Sequence, residues 1–82
     1  MWNRKKGDVC IIKWQDPETD SGWFEEELLE LPVVTSVGIY LGENDTTIWF
    51  ASTYHPETKQ FADRMTYPKG CLLHVETISN IS

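Results

Sequence analysis

The sequence predicts a mainly β protein: a small five-stranded barrel forming one domain over residues 1–82, with one short helix between strands 1 and 2. Three observations predict it. Apolar runs of strand length recur at short intervals, turn-forming residues punctuate them, and 82 residues can enclose only one modest core. Hydrophobic residues make up 40% of the chain and include four tryptophans, enough apolar surface to offset chain entropy and exclude disorder.

The first strand is expected over residues 8–14, where Val9, Ile11, Ile12 and Trp14 suit burial on much of both faces. Asp16, Pro17, Thr19, Asp20, Ser21 and Gly22 then concentrate turn formers. Asp20 or Ser21 is placed to cap a helix over residues 24–30. Glu25, Glu26 and Glu27 lie where the helix dipole favours negative charge, and Pro32 stops continuation. Its apolar stripe is Phe24, Leu28 and Leu31; a strand-like excursion at Trp23 and Phe24 is the alternative.

Over residues 33–41 the chain alternates, with Val33, Thr35, Val37, Ile39 and Leu41 on one face and Val34, Ser36, Gly38 and Tyr40 on the other. Gly38 marks a sharp bend or a close approach of neighbouring backbone. Gly42, Glu43, Asn44 and Asp45 make a hairpin turn into a third strand at 46–52, which carries Ile48, Trp49 and Phe50. Residues 54–60 are polar around Pro56 and read as an exposed connection, followed by a fourth strand at 61–66. Tyr67, Pro68, Lys69 and Gly70 form a tight turn in which Gly70 is expected at positive φ and Lys69 projects into solvent. A fifth strand at 71–78 completes the set, and closure into a barrel removes exposed sheet edges.

Thirteen acidic against seven basic residues give a net charge of −6, which repels a phosphate backbone and argues against general DNA or RNA binding. The longest apolar run, residues 9–12, is far short of the roughly 20 needed to cross a bilayer. Arg4, Lys5 and Lys6 are followed by Gly7 and Asp8, where a secretory signal needs its apolar stretch. A cytoplasmic location is therefore expected, with Cys10 and Cys71 as buried free thiols rather than a disulfide.

The turn at residues 65–71, set between the last two strands, resembles that of SH3-like and Sm-like small barrels. In addition, the strings Val9-Cys10-Ile11-Ile12-Lys13-Trp14-Gln15-Asp16, Asp20-Ser21-Gly22-Trp23, Ser36-Val37-Gly38-Ile39 and Pro68-Lys69-Gly70-Cys71 are similar to a group of short uncharacterised bacteriophage proteins. That resemblance implies a phage origin and a working life in the host bacterial cytoplasm. It brings no established chemistry, but interference with host defence is common among such proteins, including sequestration of nucleotide immune signals by small oligomers.

Asp16, Glu18, Asp20 and Glu27 echo a calcium-binding loop, yet Ser21 stands where the sharp turn needs glycine, so a solvated acidic turn is expected and no metal. His55 and His74 lack further well-placed zinc ligands. No serine lies in a glycine elbow and no phosphate-cradling glycine loop occurs, so neither a catalytic set nor a cofactor is expected. Trp14, Trp49, Phe50 and Phe61 are expected to fill the core. Trp23, Tyr54 and Tyr67 are expected partly exposed beside Arg64 and Lys69, where aromatic faces and positive charge would hold a ligand or partner.

Three functions follow. The first is a non-catalytic interaction protein binding a host or phage protein. The second is an oligomeric sponge for a nucleotide signal, with Arg64 or Lys69 pairing phosphate and an aromatic ring stacking on the base. The third is a minimal nucleotide hydrolase.

Overall fold

The computed structural model describes residues 4–15 and 32–81. Five antiparallel strands form one sheet: β1 (Asp8–Gln15), β2 (Val33–Glu43), β3 (Thr47–His55), β4 (Gln60–Pro68) and β5 (Leu72–Asn80). Their order is β4-β3-β2-β1-β5. A single 3-10 turn, Lys69–Cys71, joins β4 to β5. The helix expected at residues 24–30 and the acidic turn before it lie outside the described residues.

β2 is shared between two halves of the sheet. Its first part pairs with β1, from Gln15↔Val33 to Val9↔Ile39, and its last part with β3, from Ile39↔Ala51 to Glu43↔Ile48. Leu41 is skipped in the second register, a bulge that adds local twist. Gly38 sits just before the handover. A Cβ there would come 2.8 Å from the Phe50 Cβ and 2.9 Å from the Met65 Cε, so the absent side chain is what lets Phe50 pack down on β2.

The two halves curl toward each other. Trp14 on β1 and Tyr67 on β4 are separated by two strands in the sheet order, yet their ring centroids lie 5.1 Å apart. Phe50 links Tyr67 to Tyr40 through edge-to-face contacts at 5.9 and 6.0 Å. Around this aromatic seam pack Cys10, Ile12, Ile48 and Val75, with Met65 and Leu72 closing its margins. Full burial of Phe50, Ile12 and Ile48 contributes roughly 1.5–3 kcal/mol each relative to exposure.

The curl stops short of a barrel. β4 and β5 are the two ends of the strand order and do not pair, so the sheet is open and the closure expected from sequence is absent. Both end strands are irregular: Asp63 on β4 has φ 60, and Leu73 and Ile78 fall out of the β1–β5 register.

Several local expectations are corrected. Gly70 does not have a positive φ; among the described glycines only Gly7 does, at 96°. The turn is 3-10 instead, following Pro68 at φ −64 and ψ 133. β4 runs to Pro68 rather than Thr66, so Tyr67 pairs opposite Ile48 and turns into the core, where it is only 7% exposed. Trp14, Trp49 and Phe61 are half-buried, leaving Phe50 as the one of the four expected core aromatics that is fully enclosed. Cys10 is buried and free as expected, whereas Cys71 is free but only half-buried.

Candidate functional site

Where the sheet fails to close, a hollow of about 240 Å³ opens between the turn after β4 and the first half of β5. Ile48, Leu72, Leu73 and Val75 supply aliphatic wall, and Arg4, Glu43, Lys69 and His74 line its polar side. Each polar group is placed by a different element. Arg4 belongs to the segment before β1, where Gly7 N–H donates to Tyr40 O at 3.0 Å and Asp8 N–H to Lys5 O at 2.9 Å. Glu43 ends β2, and Lys69 opens the 3-10 turn, its own N–H donating to Thr46 O at 2.8 Å.

Glu43 is the hub. Lys69 Nζ donates to its Oε2 at 2.6 Å, Tyr40 Oη donates to its Oε1 at 2.9 Å, and Arg4 Nε lies 3.9 Å from Oε1. The Lys69 ammonium holds the Glu43 carboxyl below its ordinary pKa, with the Tyr40 hydroxyl, Lys69 and Arg4 charges adding to this and partial burial opposing it. Burial first, and then the bond to Glu43, push the Tyr40 phenol up to about 12. The Arg4 guanidinium packs 5.8 Å from the centroid of the Tyr40 ring and its side chain is only 8% exposed. Among the described residues two cations thus face the Glu43 carboxylate.

The residues singled out from sequence do not assemble into one cluster. Lys69 lies on the hollow, half-buried and ion-paired rather than projecting freely. Tyr67 is not an exposed platform: its ring is wedged between Trp14 and Phe50, and its hydroxyl reaches Met65 Sδ at 3.6 Å. Tyr54 is half-buried with its ring 4.9 Å from Phe61. Arg64 is exposed opposite Ala51, beside a second depression lined by Leu41, Phe61 and Asp63. Trp23 lies outside the described residues.

Sequence reasoning missed Arg4, Glu43 and Tyr40 as site residues. Arg4 carries no local signal, since its place beside Glu43 is set by tertiary contacts. Glu43 stands at the hairpin between Gly42 and Asn44 and reads as an ordinary turn acid.

Among the described residues no three His, Cys, Asp or Glu side chains converge on a point, and no helix is long and apolar enough to cross a membrane. No protein-family model, curated protein or solved structure matches this chain.

Proposed function

We propose that this chain is a non-catalytic interaction protein that binds a partner protein at the open side of its sheet. The observation that carries this is the combination at β5. Among the described strands it is an edge, Leu73 on it is 52% exposed, and beside it the aliphatic hollow bears a charged rim of Arg4, Glu43 and Lys69 built from three separate elements. Edge strands are ordinarily covered or blunted, and an exposed apolar side chain beside a shaped hollow is a recognised signature of docking.

A phage origin, a working place in the host bacterial cytoplasm and a role against host defence are part of the same proposal, supported by the sequence strings quoted above. Membership of the SH3-like/Sm-like barrels is supported by a β2 shared between two half-sheets and by the single short turn before β5. Capture from host and phage-infected lysates tests the interaction. A specific partner retained by the wild-type chain and lost with Leu73→Glu is expected; absence of any partner from both lysates, with the bait folded and in excess, contradicts it.

Sequestration of a nucleotide signal is the second reading, favoured by Arg4 and Lys69 on one hollow. It loses Tyr67 as a base platform. Calorimetry with cyclic di- and trinucleotides checks it: heat with intact ligand recovered supports sequestration, and product formation supports the hydrolase instead.

A further inference from the structure

We infer that Glu43 is a positioning residue of the docking surface proposed above: it holds the Lys69 ammonium on the rim of the hollow, ready to donate to an acceptor oxygen of the partner protein. The assignment rests on the protein-binding reading and deepens it.

The grip can be followed outward from the core. Phe50 is fully buried, and the Tyr40 ring, itself buried, packs edge-on against it at 6.0 Å. Tyr40 Oη donates to Glu43 Oε1 at 2.9 Å, which fixes one oxygen of the carboxylate. The other oxygen, Oε2, accepts from Lys69 Nζ at 2.6 Å, a short charge-assisted bond. Each partner is also tied through its backbone. Glu43 pairs with Ile48, a wall of the hollow, and Lys69 N–H donates to Thr46 O at 2.8 Å. The β2–β3 hairpin and the 3-10 turn therefore make one frame around the ion pair.

A free lysine loses rotamer freedom when a partner orders it, whereas one already held loses little. Of the five lysines in the chain, Lys5, Lys6, Lys13 and Lys59 are exposed and Lys69 is half-buried. The pairing still leaves Lys69 with spare donors. An ammonium carries three N–H groups and, among the described residues, Lys69 gives one to Glu43. Its side chain is 33% exposed, so another can reach a partner whose apolar group meets Leu72, Leu73 and Val75.

The test has two arms. In the first, the full chain carrying isotopically labelled lysine is observed by magnetic resonance. Lys69 should give a well-ordered, slowly exchanging ammonium signal and the other four lysines mobile ones. Tyr40→Phe, which keeps the ring and the carboxylate charge, should loosen that signal, and Glu43→Gln should loosen it further. A wild-type Lys69 as mobile as the others would overturn the assignment.

In the second arm, the partner captured from host or phage-infected lysate is titrated into the same variants. Glu43→Gln should weaken binding about three- to tenfold and Tyr40→Phe about twofold, the cost of ordering a lysine no longer held. In Lys69→Met, which keeps the apolar stem, adding Glu43→Gln should change affinity less than about twofold, because Glu43 acts through Lys69. Thermal unfolding of each variant well above the assay temperature shows that affinity rather than folding is read. Equal weakening in both backgrounds would mark a structural role or one exerted through Arg4, and would overturn the assignment. Tighter binding by Glu43→Gln would overturn it too, since Glu43 would then compete with the partner for the ammonium. Unchanged affinity in Glu43→Gln with loss in Lys69→Met removes the positioning role and leaves the interaction reading standing. If neither lysate yields a partner to the wild-type chain, the interaction reading falls and this role falls with it.

Discussion

The β3–β4 hairpin has two ends that are built differently. At the body end β3 is flanked on both sides, by β2 as far as Ala51 and by β4 along its whole length. Ile48, Phe50 and Tyr67 are buried there, and Lys69 is fixed just beyond them by a backbone bond and an ion pair. From residue 52 to residue 63 the hairpin is a two-stranded ribbon among the described strands, β3 there pairing with β4 and no longer with β2. Tyr54 and Phe61 hold each other on it, and Arg64 stands exposed at its root. One pair of strands therefore carries a packed, pre-positioned cation at one end and a solvated one at the other. A site needs its charged groups held by neighbours before the ligand arrives, since ordering a free side chain on binding costs affinity. On that criterion Lys69 qualifies and Arg64 does not.

The largest expected effect separates the two ends by stability. Phe50→Ala should cost about 3–5 kcal/mol, as full burial of the ring and its two aromatic neighbours requires, whereas Phe61→Ala on the ribbon should cost about 1 kcal/mol. Denaturant unfolding of both variants checks this; similar losses would mean that the ribbon is as well packed as the body.

Backbone space gives the next contrast. Gly38→Val forces a Cβ against Phe50 and should cost about 2–3 kcal/mol, while at Gly70 a Cβ meets nothing within 4 Å and φ is not positive, so Gly70→Val should stay within about 1 kcal/mol. Thermal unfolding distinguishes them, and a severe loss at Gly70 would show the turn to be wrongly built.

Titration probes the body end from both sides. Glu43 and Asp8 both have folded-state pKa values below their unfolded ones, so their contribution is complete above the unfolded carboxylate range and is lost as pH falls through the folded values. For Asp8 the cause is chiefly the Lys5 N–H and then Asn80. Tyr40 has the opposite shift for an acid. Its contribution is complete below the ordinary value of 10.0 and is lost as pH rises from there to about 12. Stability should fall at both extremes, and Glu43→Gln should flatten the acid limb; an unchanged limb would locate the acid sensitivity elsewhere. The smallest effect is dynamic: ribbon amides should exchange with solvent before those of β1 and the body end of β3.

Much of the strand layout is legible in the sequence because period-two alternation and turn residues are local signals. β1, the β2–β3 hairpin and the close approach at Gly38 follow from them, although the neighbour at Gly38 is the Phe50 side chain rather than backbone. The site is less legible, and Tyr67 shows why. Ending β4 at Thr66 puts Tyr67 in a turn and in solvent; two more residues of pairing place it opposite Ile48 and inside. A shift that small exchanges a ligand platform for a core residue. Arg4 is invisible for another reason. Its partners, Glu43 and the Tyr40 ring, lie far along the chain and meet it only after β1 docks on β2.

The most direct measurement compares the two cations against one ligand. Titrating the partner captured from lysate into Lys69→Met and Arg64→Met should show binding weakened about tenfold in the first and changed less than about twofold in the second, since of these two cations Lys69 is the one held in place beside the hollow. Loss of binding in Arg64→Met with Lys69→Met unaffected would contradict the account and move the contact surface to the ribbon.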